Sequence, residues 1–173
     1  VTIRETIFLL IVAIGLTPAF KMKFWNIGAE GQILMGGTVS AAIMIYLGKT
    51  LPNAVLLIII FILSALAGMI WGLIPAYFKA NYNTNETLFT LMLNYVAMQI
   101  VTFCIVYWEN PPGSNTVGVI NAANQGGWIP ALFGTYGMCV ILVTAVTVFI
   151  TIYMKSSKQG YEIAVVGESQ NTA

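Results

Sequence analysis

The stretch FWNIGAEGQILMGG, Phe24 to Gly37, places Asn26, Glu30 and Gln32 at the head of a run apolar enough to enter a bilayer. An ionisable side chain at the centre of a membrane helix costs about 2.5–3.5 kcal/mol on insertion scales, so a glutamate kept there points to function. At the headgroup level the same carboxylate complements the positive end of a helix dipole at little cost. Position alone leaves both readings of Glu30 open. Composition settles what surrounds this stretch. The chain is 58% hydrophobic and 8% charged, with a mean hydropathy of +0.86, whereas soluble domains carry about 25% charged residues. An all-α, polytopic integral membrane protein solvated by membrane lipid follows.

The same composition excludes several classes of function. Net charge is +1 and the basic residues are dispersed, which gives nucleic acid no surface to bind. Cys104 and Cys139 lie in apolar runs without metal or disulfide spacing. The chain has no His and no Asp. Histidine-ligated zinc, Ser-His or Cys-His nucleophiles and paired aspartates are therefore impossible within these residues, and neither a metal nor a cofactor is expected. Gly48-Lys49-Thr50 resembles the tail of a phosphate-binding loop, but Ile43 stands where the first glycine belongs and no strand precedes it.

Working outward, five apolar runs are expected to span the membrane. The first, Glu5 to Phe20, is slightly short for a span of about 20 residues. It lacks the flanks of a signal peptide, so the chain reads as a fragment that begins inside a larger protein. Pro18 suggests a kink or stop there, with Lys21 and Lys23 in water. The second span runs from about Asn26 to Leu47. A helix over it would put Asn26 and Glu30 one turn apart on one face, and its glycines allow close packing or a broken helix beside a path. The third, Leu51 to about Phe78, carries Ser64, Gly68, Gly72 and Ala76 at four-residue spacing, a helix-packing face. Pro75 is expected to kink its end. In the polar loop KANYNTNE, Asn83 and Glu86 have the spacing of a helix N-cap and its reciprocal acid. The fourth span, Thr87 to Trp108, sets Thr90, Asn94 and Met98 in line behind Glu86. An amide at membrane depth needs a partner on another helix or water in a cavity, and helix packing is the commoner use. The fifth runs from Tyr136 to Met154.

Basic residues near span ends mark the cytoplasmic side. Lys21, Lys23, Lys79, Lys155 and Lys158 fall together if each run crosses once, and the basic-free segment 109–134 becomes an extracytoplasmic loop. Lys49 and Arg4 are the exceptions. Residues 155–173 then form a cytoplasmic loop, with Ser169 as a candidate N-cap for a further helix. The whole of 1–173 reads as a single transmembrane domain.

Three stretches in order carry a family resemblance: WNIGAEGQILMGG (Trp25–Gly37), IPAYFKANYNTNETLFTLMLNYVA (Ile74–Ala97) and KQGYEIAVVGESQNTA (Lys158–Ala173). Together they resemble permease subunits of bacterial ABC importers, in the branch of branched-chain amino acid, ribose and nucleoside permeases, and most closely its nucleoside or simple-sugar subgroup. In the tail, Ala164 replaces the family's usual arginine and Ser169-Gln170 its Asn-Pro pair.

The resemblance implies a multi-pass protein of the bacterial plasma membrane that forms a pathway for a small polar solute. Its partners would be a second permease subunit, an extracytoplasmic substrate-binding protein and a separate ABC ATPase subunit, since no complete nucleotide-binding loop occurs here and the chain itself would not be an enzyme. Asn26, Glu30, Gln32 and Asn94 become the expected pathway or gate residues. Gly160, Gly167, Glu168 and Ser169 become the expected coupling segment, leading into the coupling helix. A secondary transporter that uses Glu30 as an ion or proton site is the rival reading.

Overall fold

The computed structural model describes residues 2–130 and 136–168. Six α-helices and no strand occur among them: α1 (Thr2–Lys21), α2 (Ala29–Leu47), α3 (Asn53–Tyr82), α4 (Glu86–Tyr107), α5 (Gly137–Ser156) and α6 (Lys158–Glu168). Helices α2 to α5 are long and apolar enough to cross a membrane, and α1, of 20 residues, covers the first expected run. The fold is the expected all-α polytopic membrane fold. The chain divides into two compact units, one holding α2, α3 and α4 through Ile129, the other holding α1, α5 and α6.

In the first unit α2 is the central helix, packed on both α3 and α4. The small residues explain this. A Cβ on Gly36 would lie 3.2 Å from the Ser64 carbonyl oxygen, and one on Gly68 would lie 3.3 Å from that of Gln32. A Cβ on Gly72 would come within 2.7 Å of the Gln32 amide nitrogen. The four-residue stripe of α3 is thus the surface on which α2 rests, where missing side chains let the backbones approach. Helix α3 has 30 residues, about 45 Å at the helical rise, against a hydrocarbon core of about 30 Å. It runs through the buried Pro75 on to Tyr82, so the proline interrupts the ladder without ending the helix.

The α3–α4 turn corrects one expectation. Asn83 is not the N-cap of α4. It closes α3 in the left-handed conformation (φ 49°, ψ 37°), its N–H donating to the Lys79 carbonyl, a position that asparagine tolerates better than most residues. The N-cap is Asn85, whose Oδ1 accepts from the Leu88 N–H at 3.2 Å. Glu86 then ion-pairs with Lys79 at 3.0 Å, tying the two helix ends together.

Asparagine side chains order the long connection after α4. Asn121 donates to the carbonyls of Met44 (2.7 Å) and Gly126 (2.9 Å), and Asn124 donates to Gly48 (2.8 Å). Asn124 thus satisfies the Gly48 carbonyl at the C-cap of α2, and Asn121 adds a second donor to the Met44 carbonyl, which also accepts from the Gly48 N–H. Asn53 accepts from Gly127 and donates to the Trp128 carbonyl. A cavity of about 570 Å³ lies here, lined in part by Lys49, Trp108, Asn110 and Asn124.

In the second unit, α6 follows α5 directly and packs on both α5 and α1. The Gly160 N–H donates to Ser157 Oγ at 2.9 Å, the N-terminal hydroxyl contact expected of a helix start. The polar tail is therefore helical up to Glu168, while Ser169 and the helix expected to follow it lie outside the described residues.

Candidate functional site

The polar residues that stood out in the sequence converge where α2 begins. Helix α2 starts at Ala29, after an N-cap glycine, Gly28, that offers no side chain. Its early N–H groups need partners from elsewhere, and α4 supplies one for Gly31 and another for Ile27 just before the helix. The Ile27 N–H donates to Thr90 Oγ1 at 3.3 Å, and the Thr90 hydroxyl donates to the Thr87 carbonyl at 3.2 Å. The Gly31 N–H donates to Asn94 Oδ1 at 2.9 Å, while Asn94 Nδ2 donates to the Ile27 carbonyl at 3.0 Å.

Ile27 and Gly31 are four residues apart, the pair that an unbroken α-helix would join by one N–H···O=C bond. Here the Asn94 amide stands between them, donating to one member and accepting from the other. A side chain inserted into the ladder is a recognised cause of a broken helix. The first main-chain bond of α2 shifts to Gln32 N–H with the Gly28 carbonyl, at 3.1 Å. Asn94 and Thr90 are buried, with 3% and 1% exposure, and both are engaged with the start of α2.

Gly31 makes the insertion possible. A Cβ there would lie 2.8 Å from Asn94 Oδ1 and 2.9 Å from Trp71 Nε1. Any side chain would thus collide with the α4 amide and the α3 indole together. The Trp71 indole N–H is buried and has no hydrogen-bond partner among the described residues. Gln32 lies against Gly68 and Gly72, which fixes α2 immediately beyond the clamped turn. Gly28, Gln32, Trp71, Pro75 and Thr90 surround a small void there.

The expected pathway residues separate into distinct roles. Asn94 joins α4 to α2 through both ends of its amide. Gln32 sits in the α2–α3 contact. Glu30, between the clamped residues Ile27 and Gly31, is exposed and occupies the first turn of α2, where the dipole favours its charge. Asn26 is buried and lies before α2, in chain that is not helical, its N–H donating to the Phe24 carbonyl at 2.9 Å. The expectation of one continuous helical face through Asn26 and Glu30 is therefore corrected, because the Asn94 insertion and the uncapped glycine start the helix at Ala29. Sequence reasoning missed Trp71 and the steric part of Gly31. Nothing in a single chain announces which indole will meet which glycine, although the α4 stripe of Thr90 and Asn94 did mark its polar face.

The expected coupling glycines act in packing within their own unit. A Cβ on Gly160 would lie 2.5 Å from the Met154 carbonyl oxygen, and one on Gly167 would sit on the carbonyl oxygen of Lys21. These two glycines let α6 lie close to the ends of α5 and α1. Glu168 is exposed at the last position of α6, as is Tyr161, at 71%. Among the described residues no cluster of His, Cys, Asp or Glu could hold a metal ion.

A family model described as branched-chain amino acid transport system / permease component matches residues 2–173. Among curated relatives, the guanosine ABC transporter permease protein NupP of Bacillus subtilis is 28% identical over 99% of this chain and 50% of its own length. The nucleoside ABC transporter permease protein NupB of Lactococcus lactis is 26% identical over 92% of this chain and 46% of its own. The glucose ABC transporter permease protein TsgB13 of Haloferax volcanii is 25% identical over 95% and 46%. The chain thus spans about half the length of these relatives. No solved structure matches it.

Proposed function

The chain belongs to the family of branched-chain amino acid transport system permease components, and we propose from that premise that it forms part of the translocation pathway of an ATP-driven importer in the bacterial plasma membrane. The solute is a small polar molecule, a nucleoside or simple sugar, as the names of the relatives suggest. The observation that carries this reading is the family match across residues 2–173. The polar stretch Trp25–Gly37 and the α4 stripe that share the resemblance also meet in space, through Asn94 and Thr90. Glu30 is the pathway or gate residue best placed to meet solute, since it is exposed at a helix start. Gln32 and Asn94 hold the helix start that carries it, and Asn26 is the remaining pathway or gate residue of this reading.

In this reading residues 1–173 form one transmembrane domain, 109–134 face the outside toward a substrate-binding protein, and 155–173 face the cytoplasm. Helix α6, with Tyr161 and Glu168 exposed, belongs to the loop that meets the ATPase subunit. A second permease subunit completes the pathway, and hydrolysis of ATP falls to the ATPase, leaving this chain without catalysis of its own. The test is uptake of radiolabelled guanosine and of glucose into vesicles that hold the full-length protein with its ATPase, second permease and binding protein. Uptake that requires ATP and survives collapse of the ion gradients supports the importer. Uptake driven by an ion gradient without the ATPase overturns it in favour of a Glu30-based secondary transporter.

A further inference from the structure

We propose that Asn94 and Trp71 are positioning residues that hold the Glu30-bearing first turn of α2 in either of two arrangements, exchanging hydrogen-bond partners as it moves. In the arrangement seen here the Asn94 amide is inserted between Gly31 N–H and Ile27 C=O, and the buried Trp71 indole N–H is left over. In the other, Gly31 N–H bonds Ile27 C=O directly, closing the helical ladder, and the released Asn94 Oδ1 accepts from Trp71 Nε1.

The geometry brings the exchanging atoms together. Asn94 Oδ1 and Trp71 Nε1 both approach the point where a Gly31 Cβ would be, at 2.8 and 2.9 Å, so a small displacement of the turn lets them meet. Each arrangement makes two of these bonds and strands one buried donor. That donor is the indole N–H in the first and an Asn94 amide N–H in the second. An equal count of bonds and orphans leaves neither state favoured by hydrogen bonding alone, so a partner or solute with a modest preference can shift their populations. A buried donor with no acceptor is otherwise costly and uncommon, and a second state that pairs it gives this one a purpose. The movement stops at Gln32, which is lodged against Gly68 and Gly72. Closing the ladder rewinds the chain on both sides of Glu30 and turns its carboxylate relative to α3 and α4. The existence of the two states does not depend on the importer reading; their use as a gate rests on it.

The experiment uses the full-length protein with its partner subunits in lipid nanodiscs, labelled with 5-fluorotryptophan, the Trp71 ¹⁹F resonance being assigned by Trp71→Phe. Two Trp71 signals are expected, with an intensity ratio that changes at least threefold between the nucleotide-free complex and one holding a non-hydrolysable ATP analogue. Asn94→Leu should leave a single signal. Trp71→Phe should slow ATP-driven uptake at least threefold without lowering thermal stability, since it removes a stranded donor; a purely structural indole would show the reverse. A single Trp71 signal in both nucleotide states overturns the proposal whatever the uptake result, and so does unchanged uptake in Trp71→Phe. Two exchanging signals in a complex that shows no ATP-driven uptake would retain the two states and reject the importer.

Discussion

Gly31→Ala tests the clamp most directly, because the added methyl meets two polar side chains and little else. It would lie 2.8 Å from Asn94 Oδ1, 2.9 Å from Trp71 Nε1 and 3.4 Å from Asn94 Cα, the first two well inside normal contact. Asn94 is buried and the Trp71 indole nitrogen is enclosed, so relief comes chiefly from pushing the amide away from the Gly31 N–H. Overpacking of this kind costs about 1–3 kcal/mol. Loss of the two amide hydrogen bonds adds about 0.6 kcal/mol each on the average for membrane side chains. The expected total is about 2–4 kcal/mol. The assay is thermal unfolding of the assembled full-length transporter in nanodiscs, run as a double-mutant cycle with Asn94→Ala. Truncating Asn94 removes one of the two obstacles and leaves the indole room to yield, so the double variant should be more stable than the sum of the single effects by more than about 1 kcal/mol. Additive effects would show that the methyl is accommodated elsewhere, and the clamp as described would be wrong.

Three further outcomes follow from the same geometry. Asn85→Ala should cost about 1 kcal/mol through loss of the α4 cap, whereas Asn83→Gly should be neutral or stabilising because position 83 is left-handed; denaturant titration of the two variants separates the roles, and equal losses would reject the assignment. Gly167→Ala should free α6 from the end of α1, since the methyl meets the Lys21 carbonyl rather than a movable side chain, and limited proteolysis should then cut within residues 158–168 at least several times faster than in the parent. Glu30→Gln should change stability by no more than about 1 kcal/mol, the scale of a lost dipole interaction, yet alter solute uptake several-fold; unchanged uptake would remove Glu30 from the pathway.

Helices were legible in the sequence because the bilayer demands long apolar runs: every expected run holds a helix with ends shifted by only a few residues, and four of the five are long and apolar enough to span. The packing stripe of α3 was legible for a related reason: four-residue spacing of Ser64, Gly68, Gly72 and Ala76 has few other uses in a membrane helix. What could not be read was pairing between elements. Asn83 and Asn85 are both credible caps by type, and only the turn that α3 makes past Pro75 decides between them. The start of α2 was misjudged because the bond that breaks it comes from Asn94, 63 residues away. Helical periodicity registers neighbours along the chain and is blind to a side chain that arrives from another helix.

That blindness bears on how the polar residues should be interpreted. An asparagine at membrane depth invites a pathway reading because lipid leaves its amide unsatisfied. At Asn94 the missing partners are main-chain groups of α2, opened by the same amide that fills them. The arrangement replaces one internal helix bond with two interhelical ones, at the cost of an orphaned indole N–H on α3. A phenyl ring at position 71 would give up part of the indole's apolar contact but would strand no donor. Under the proposed exchange the stranded indole N–H beside Gly31 makes Asn94 the clamp that sets where the exposed Glu30 carboxylate stands.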